Sequence, residues 1–254
     1  MSGAGARCRQ SKLFPKRPTG ATQRKVASHL QITEIFHSIQ GESTRAGAPC
    51  VFVRLTGCNL RCRWCDTEYA FYGGQRMSRE AVLEAVRAYP CRTVEFTGGE
   101  PLLQAPAVAS LAQTLLDGGY TVMIETSGER DLTPLPQAVV KIVDVKCPGS
   151  GEAGKFHDAN LAHLQPWDEL KFVLSDRADY DFARAFIARH QLSGQGPALL
   201  FSPAFVKGAA GERSAAQCQL DPAQLAAWML ADGLPARLSL QIHKFIWDPA
   251  RKGV

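Results

Sequence analysis

The chain has 254 residues, of which 45% are hydrophobic and 21% are charged, a composition typical of one globular domain with an ordinary core. No uninterrupted apolar run approaches the roughly 18 residues that a membrane-spanning helix needs. No apolar stretch follows the basic N-terminal residues as it would in a secretory signal. These features argue against a membrane or secreted protein, so we expect a cytoplasmic location.

The formal charge of +5 is concentrated at the N-terminus. Residues 1–30 contain seven of the 29 Lys and Arg residues and no Asp or Glu, which leaves 22 basic residues against 24 acidic ones elsewhere. Such a polar, basic segment is typical of a disordered extension. We therefore predict an extension at 1–30, a single folded domain at 31–254 and no nucleic-acid partner.

Short apolar segments recur from residue 32 onward and predict β-strands. The first, residues 32–39, has a partly alternating pattern and is predicted to be an edge-like strand. The others are compact and apolar, as strands of a parallel sheet with a covered outer face are. They are residues 50–55, 93–97, 120–125, 139–145, 169–174, 198–202 and 238–242.

Helices are predicted between these strands. Ser78 can cap one helix, and an apolar stripe from Val108 onward is stopped by Gly118. Two further helices are predicted at residues 181–190 and directly after Asp221.

The alternation of strands and helices predicts an α/β fold with parallel strands and right-handed crossovers. The connections after Glu125 and Val145 are too short or too polar for a long covering helix. We therefore predict an incomplete, TIM-like barrel with fewer helices than strands.

Three of the eight cysteines are clustered in a loop that follows the predicted strand 50–55. Cys58, Cys62 and Cys65 can hold one face of a [4Fe–4S] cluster and leave one iron open. A structural zinc site remains an alternative, although no nearby residue completes its usual four ligands. So does a four-cysteine ferredoxin site that borrows Cys91 or Cys147.

The cysteine spacing, with Trp64 before the last cysteine, resembles that of the radical S-adenosylmethionine superfamily. The segment Thr97-Gly-Gly-Glu-Pro101 follows the next strong strand and looks like that superfamily's Gly-Gly-Glu-Pro motif. The resemblance implies a [4Fe–4S] cluster whose open iron binds S-adenosylmethionine. It also implies that Trp64, Gly99 and Glu100 contact this cofactor.

Segments before and after the cysteine cluster are similar to those of the 7-carboxy-7-deazaguanine synthase family within that superfamily. The similarity runs from about residue 32 to the C-terminus, in segments at 38–42, 47–49, 52–54, 125–128, 144–148, 168–171 and 241–244. It implies radical ring contraction of 6-carboxy-5,6,7,8-tetrahydropterin to 7-carboxy-7-deazaguanine with loss of ammonia, in queuosine or deazapurine biosynthesis. It also implies a homodimer and a flavodoxin-like or ferredoxin-like electron donor.

The family resemblance assigns roles only at matching positions. For the substrate these are Ile39, Gln40, Gly41, Glu42, Arg54, Thr97, His243 and Val254. For S-adenosylmethionine they are Ser127, Asp144, Val145, Lys146, Ser202, Pro203 and Ala204, although many members have Ser-Pro-Lys at 144–146. Thr67 matches a Mg²⁺ ligand, and Mg²⁺ typically takes few protein ligands.

Less specific interpretations remain open for several of these residues. Arg54 suits a bidentate pair with a substrate carboxylate but also a structural ion pair. Glu42 suits guanidine-like nitrogens but also an exposed acidic loop, and His243 can be a core residue.

Two other functions compete with the synthase hypothesis. A glycyl-radical activating enzyme would share the cysteines and the Gly-Gly-Glu-Pro segment without needing Arg54 or residues 40–42. A non-catalytic Fe–S or zinc module for electron transfer or nucleic-acid contact would need only the cysteines.

Overall fold

The computed structural model describes residues 29–192, 196–207, 211 and 213–254. Most of the predicted N-terminal extension, residues 1–28, lies outside this part. The first strand begins at His29, so the last two residues of that predicted extension belong to the sheet.

Nine strands form one sheet in the described residues. They are β1 His29–Ile39, β2 Pro49–Leu55, β3 Gln75–Ser78, β4 Thr93–Gly98, β5 Thr121–Thr126, β6 Val140–Asp144, β7 Glu169–Leu174, β8 Ala198–Pro203 and β9 Ala236–Leu238. Their order is β3-β1-β2-β4-β5-β6-β7-β8-β9. Every pair from β2 to β9 is parallel, whereas β1 pairs antiparallel with both β2 and β3.

The sheet is open, and the described residues contain fewer α-helices than strands, which confirms the incomplete barrel. The helices are α1 Arg79–Arg87, α2 Ala105–Asp117, α3 Arg177–Arg189, α4 Pro222–Asp232 and α5 His243–Ile246. In the described residues the connection after β5 contains only turns, and the connection after β6 contains only two short 3₁₀ helices, so neither has the long covering helix whose absence the sequence predicted. No described helix has both the length and the apolar character needed to cross a membrane.

The caps explain where the helices begin. Ser78 accepts a hydrogen bond from Ala81 N at the start of α1, and Asp221 does the same for Ala223 N at the start of α4. Helix α3 begins at Arg177, four residues before its predicted start, because Asp176 caps it. The first turn of α3 is polar, so an apolar pattern in the sequence does not show where this helix begins.

One strand prediction is wrong, and one strand was not predicted. The unpredicted strand is β3, which is short and polar and pairs with residues 29–32 of β1, so that among the described residues the stretch 33–39 lies at the edge of the sheet as predicted. Residues 239–242 were predicted as a strand, but β9 ends at Leu238. The next segment bonds instead to the loop after β1, through Ser239 Oγ to the carbonyl of Glu42 and Ile242 N to Gly41 O at 2.9 Å.

The two faces of the parallel sheet differ in chemistry because side chains alternate along a strand. One face carries the apolar core that packs against the helices, with Val53, Phe96 and Ile124 on successive strands. The other face carries charged groups, including Glu95, Glu125, Asp144, Glu169 and Lys171, in register positions between those core residues. Burial of so many charges on one face marks it as the functional side.

Candidate active site

A cavity of about 260 Å³ opens at the carboxyl ends of the parallel strands, the edge at which parallel α/β folds build their sites. Its walls include the loop after β2 and the last residues of the chain. Seventeen of the residues singled out in the sequence line it: Ile39, Gln40, Gly41, Glu42, Arg54, Cys58, Cys62, Trp64, Cys65, Thr67, Thr97, Gly99, Ser127, Asp144, Lys146, His243 and Val254.

Five predicted site residues lie behind this wall. Val145 belongs to the apolar core, and Ser202, Pro203 and Ala204 are buried at the end of β8. Ser202 Oγ has no hydrogen-bond partner among the described residues. These positions therefore support the cavity wall without opening on it.

Glu100 is the fifth predicted site residue that lies behind the cavity wall. It is buried and accepts hydrogen bonds from Ser127 N and Oγ at 2.9 and 2.7 Å, and from Thr126 Oγ1 at 2.7 Å. It also caps the turn that follows, through Leu102 N at 3.0 Å. Glu100 thus fixes the strand end that presents Ser127 to the cavity.

The cysteine loop approaches the Gly-Gly-Glu-Pro segment closely. A methyl group at Gly99 would overlap the carbonyl oxygen of Gly57 and lie 2.9 Å from Cβ of Cys58. Glu100 N also donates to Gly57 O at 2.7 Å. Glycine at position 99 is therefore required by the contact between the two motifs.

A second loop holds the cysteine loop from the other side. Arg63 N donates to Ser150 O at 3.0 Å, and Arg61 N donates to Glu152 Oε1 at 2.5 Å. The second loop is itself anchored by the buried Asp179, whose Oδ1 accepts from Gly149 N at 2.7 Å. The backbone that carries the three cysteines is thus held by the Gly-Gly-Glu-Pro segment on one side and by the second loop on the other.

The donor set fits a [4Fe–4S] cluster. A cubane takes one thiolate per iron, so three cysteines leave the fourth iron for another ligand. No three His, Cys, Asp or Glu side chains of the described residues converge as a single metal ion requires. Asp144 lines the cavity and its buried Oδ1 has no hydrogen-bond partner in the described chain, so it offers an acceptor to a bound cofactor.

Lys146 provides a positive charge beside that carboxylate, with its Nζ 2.6 Å from Asp144 Oδ2. Burial opposes the charged form of Lys146, but Asp144 and the Cys62 thiol outweigh it and raise the pKa of the lysine. Lys146 therefore stays charged next to the cysteines.

Arg54 lies at the end of β2 with one nitrogen already engaged. Its Nε donates to Glu34 Oε1 at 2.7 Å, and Tyr69 OH donates to the same oxygen at 2.8 Å. The guanidinium carbon lies 5.7 Å from the Phe36 ring centroid and 5.9 Å from that of Tyr69. Arg54 therefore forms a structural ion pair with Glu34 through Nε, and its side chain also lines the cavity. The structure is thus compatible with both interpretations of this residue.

Glu42 is a partly buried carboxylate that is held by a lysine and an amide. Its Oε2 lies 2.8 Å from Lys171 Nζ, and its Oε1 accepts from Gln241 Nε2 at 2.7 Å. Burial alone would raise the pKa of Glu42, but the positive charge of Lys171 and the hydrogen bond from its Nζ lower it overall. Glu42 is thus an anion inside the cavity wall and not an exposed acidic residue.

Gln40 connects the loop after β1 to the sheet. Its Oε1 accepts from the backbone N of Glu42 and Ser43, at 2.6 and 3.1 Å, while its Nε2 donates to Glu95 Oε2 at 2.8 Å. Burial and the nearby Glu125 raise the pKa of Glu95 to about 8 against the opposing effects of Gln40 and Lys171. Glu95 therefore carries a proton near neutral pH.

Thr67 and Asp66 follow the last cysteine. Thr67 Oγ1 lies 3.7 Å from Cys65 Sγ, and Lys244 Nζ donates to Asp66 Oδ2 at 2.6 Å. Lys244 also donates to Gln241 Oε1 at 2.9 Å. The C-terminal segment is thereby tied to the cysteine loop.

His243 and the last residues complete the cavity. A methyl group at Gly41 would overlap the His243 ring, so the imidazole lies directly against that backbone. Burial lowers the pKa of His243 despite the nearby Glu42, so the ring is neutral at physiological pH. Lys252 Nζ lies 4.1 Å from the Tyr69 ring centroid, and residues 249–254 line the cavity.

Sequence reasoning gave no role to several residues of the site. Glu34, Tyr69, Glu95, Glu125 and Lys171 all line or brace the cavity. A charged residue inside a predicted apolar strand, as at Glu95, was the available signal. Glu34 carried no such signal because β1 alternates polar and apolar residues.

The sequence model of the Radical SAM superfamily matches residues 52–146 of the chain. The fold is also similar to that in the crystal structure of QueE from Escherichia coli, with a TM-score of 0.63 over 84% of this chain and 93% of that one at 22% identity. An open, mostly parallel barrel with three cysteines at its carboxyl edge, together with these matches, defines a radical S-adenosylmethionine enzyme. Such enzymes use a [4Fe–4S] cluster and S-adenosylmethionine.

Relatives with higher identity narrow the assignment. The 7-carboxy-7-deazaguanine synthase of Koribacter versatilis (strain Ellin345) is 56% identical over 226 residues, which are 89% of this chain and all of the relative. The synthase of Chlorobaculum tepidum is 42% identical over 89% of this chain and 97% of its own length. That of Methanospirillum hungatei is 37% identical over 91% and 93%. The chain belongs to the 7-carboxy-7-deazaguanine synthase family.

Proposed function

We propose that the chain converts 6-carboxy-5,6,7,8-tetrahydropterin to 7-carboxy-7-deazaguanine with loss of ammonia. The observation that carries this assignment is one cavity that joins three thiols to a partly buried arginine and a partly buried glutamate. An arginine suits the substrate carboxylate, and a glutamate anion suits the N–H groups of the pterin ring. A glycyl-radical activating enzyme has no use for either residue at that place.

The chain's own residues bind and orient the reactants. Arg54 offers its terminal nitrogens to the substrate carboxylate while Glu34 holds Nε. Glu42 accepts from the guanidine-like end of the pterin, and its lowered pKa keeps it an acceptor. His243 lies against the backbone of Gly41 and closes this end of the cavity.

Cys58, Cys62 and Cys65 would hold the cluster, and Ser127, Asp144 and Lys146 line the adjoining space. When bound and reduced, the cluster and S-adenosylmethionine supply a 5′-deoxyadenosyl radical for hydrogen abstraction from the substrate. The protein's part is orientation and exclusion of water.

We also propose Mg²⁺ at Thr67, where it would bind the substrate carboxylate. Thr67 lines the cavity beside the cysteines, and a hydroxyl with substrate oxygens and water is a set of ligands that Mg²⁺ accepts. The proposal further includes a homodimer and a cytosolic, flavodoxin-like or ferredoxin-like donor, both of which the family resemblance supports.

The decisive experiment incubates anaerobically reconstituted protein with dithionite, S-adenosylmethionine and carboxytetrahydropterin, with and without Mg²⁺. We expect 7-carboxy-7-deazaguanine by mass spectrometry and a lower rate without Mg²⁺. Formation of 5′-deoxyadenosine with no deazaguanine product would contradict the synthase assignment and favour an activating enzyme.

Arg54→Lys tests the carboxylate contact. Lysine keeps the charge but loses the planar fork, so we expect KM for the pterin to rise about tenfold or more, the equivalent of roughly 1.4 kcal/mol. Iron content and affinity for S-adenosylmethionine serve as controls and should not change.

A further inference from the structure

Lys244 is a buried lysine of α5 to which the proposed function gives no role. Its Nζ donates to Asp66 Oδ2 at 2.6 Å and to Gln241 Oε1 at 2.9 Å. The same nitrogen lies 4.9 Å from the ring centroid of Phe205. Burial of an ammonium group is unfavourable unless the group is paired and hydrogen-bonded. These three partners therefore fix the position of the Lys244 side chain.

Gln241 connects this lysine to Glu42. Its Oε1 accepts from Lys244, and its Nε2 donates to Glu42 Oε1 at 2.7 Å. An ammonium only donates and an ionised carboxylate only accepts, so the amide between them has one orientation. A continuous series of hydrogen bonds therefore runs from Asp66 through Lys244 and Gln241 to Glu42. We call these four residues the Lys244 network.

The two ends of the Lys244 network lie on different walls of the cavity. Asp66 stands between Cys65 and Thr67, whereas Glu42 belongs to the loop after β1. In the part of the chain that the structure describes, no hydrogen bond joins residues 40–48 directly to residues 57–67. Lys244 also supplies the one hydrogen bond by which a distant segment of the described chain reaches residues 64–67. The C-terminal segment thus links two walls that are otherwise supported separately.

We propose that Lys244 is a positioning residue that sets the separation between Thr67 and Glu42. This inference rests on the proposed function, in which the substrate carboxylate binds beside Thr67 and the guanidine-like end of the pterin binds at Glu42. The Lys244 network holds these two places at one spacing. It therefore selects a ring whose carboxylate and guanidine-like end are separated by the matching distance.

Lys244→Met tests the proposal, because methionine keeps an unbranched stem beside Phe205 and removes both hydrogen bonds. Binding of carboxytetrahydropterin is measured by anaerobic calorimetry on cluster-loaded protein with Mg²⁺ and S-adenosylmethionine but without reductant. The Kd should rise about tenfold or more, because binding groups that are slightly misplaced lose their alignment with the ligand. Iron content and affinity for S-adenosylmethionine should not change.

Lys207→Met is the matched control. Lys207 Nζ also lies 2.6 Å from a carboxylate oxygen, that of Glu68, which follows Asp66 by two residues. Both members of this pair are exposed, and neither lines the cavity. The Kd should stay within about twofold of that of the unsubstituted chain, because an exposed ion pair contributes little.

Two further measurements distinguish positioning from general support of the fold. Tetrahydropterin without the carboxylate reaches only the Glu42 end, so its Kd should change little in Lys244→Met. Gln241→Met breaks the same network at its next residue. The double variant should therefore have nearly the Kd of Lys244→Met for carboxytetrahydropterin, whereas independent effects would add in free energy.

The outcomes separate the two proposals. A Kd for carboxytetrahydropterin in Lys244→Met that equals that of Lys207→Met overturns the positioning role, and so does an equal loss of affinity for both pterins. If Lys244→Met loads less iron, Gln241→Met takes its place and the same two results decide. An unsubstituted chain that binds carboxytetrahydropterin but forms no deazaguanine contradicts the proposed function alone, and one that does not bind it contradicts both.

Discussion

Glu95 lies among other charges on the cavity side of β4. Glu125 on β5 and Glu42 after β1 disfavour its ionisation, while Lys171 on β7 and the amide of Gln40 favour it. Burial decides the balance, and the pKa of Glu95 rises to about 8 from an ordinary value of 4.5. A neutral acid can donate as well as accept, so it can join Gln40 to the other carboxylates.

This raised pKa predicts a stability difference for Glu95→Gln. Between pH 4.5 and about 8 the unfolded chain ionises Glu95 while the folded chain keeps the proton, so ionisation favours unfolding as the pH rises. Glutamine is neutral and still accepts from Gln40. We expect Glu95→Gln to be more stable by roughly 1–3 kcal/mol at pH 7 and less dependent on pH.

Urea unfolding at pH 5, 7 and 8 measures the effect. At pH 5, close to the ordinary pKa, the advantage of Glu95→Gln should fall to less than about 1 kcal/mol. Glu95→Ala is the control, and it should be less stable than Glu95→Gln at every pH because Gln40 Nε2 loses its acceptor in the interior. A pH profile of Glu95→Gln parallel to that of the unsubstituted chain would refute the protonated state.

Gly99→Ala tests the contact between the two sequence motifs. The added methyl meets the backbone of Gly57 and Cβ of Cys58, so the cysteine loop must move, at a cost of about 1–3 kcal/mol. We expect a folded protein that takes up less iron on reconstitution. Gly196→Ala is the control, since nothing lies within 4 Å of a methyl there, and its iron content should be normal.

At the scale of elements, the loop after β6 restrains the cysteine loop, and Asp179 at the start of α3 restrains that loop in turn. Asp179 accepts from Gly149 N, Ser175 N and Ser175 Oγ, at 2.7, 2.8 and 2.7 Å. An asparagine would present an N–H₂ group to one of these donors. Each unsatisfied buried group costs about 1–3 kcal/mol.

Asp179→Asn should therefore destabilise the fold by that amount and loosen the cysteine loop. Hydrogen exchange should accelerate at residues 57–65 as well as at 147–152. Asp181→Asn, on the exposed side of the same helix, should change stability by less than about 0.5 kcal/mol. Faster exchange confined to 147–152 would show that the two loops move independently.

The parallel strands and most helices could be predicted from the sequence because each has a local signal. Apolar runs mark β2 and β4 to β8, and the caps Ser78 and Asp221 mark the starts of α1 and α4. β3 could not be predicted, since it is polar and exists only through pairing with β1. Residues 239–242 are apolar enough for a strand, but their backbone partners are Phe201, Gly41 and Glu42, which no local pattern reveals.

The cavity could be predicted in outline because parallel strands bring their carboxyl ends together. That rule placed the cysteine loop, Gly99, Ser127 and Asp144 at one edge, where the structure has them. The ion pairs could not be predicted, because they join side chains far apart in sequence, such as Lys171 with Glu42. The roles of the individual residues toward the cofactor and substrate stay predictions.

At the scale of the whole molecule, the cavity is closed by the two ends of the described chain. Glu34 on β1 holds Arg54 and Tyr69, and Lys252 lies over the ring of Tyr69. Lys244 ties the segment before it to Asp66, beside the last cysteine. The C-terminal segment thus covers the Arg54 end of the cavity, and none of residues 249–254 belongs to the apolar core of the described residues.

Removal of residues 249–254 should therefore affect substrate binding more than folding. These residues are partly exposed, so we expect the stability to fall by less than about 1 kcal/mol. Water would gain access to Arg54 and weaken its pairing with a carboxylate, so KM for the pterin should rise about tenfold or more. Cleavage of S-adenosylmethionine, measured as 5′-deoxyadenosine, should continue without a matching amount of deazaguanine product.

Lys252→Ala removes only the contact with the Tyr69 ring and leaves the rest of the segment over the cavity, so it should raise KM by a smaller factor than the deletion does. An unchanged KM after the deletion would show that the segment lies over the cavity without closing it.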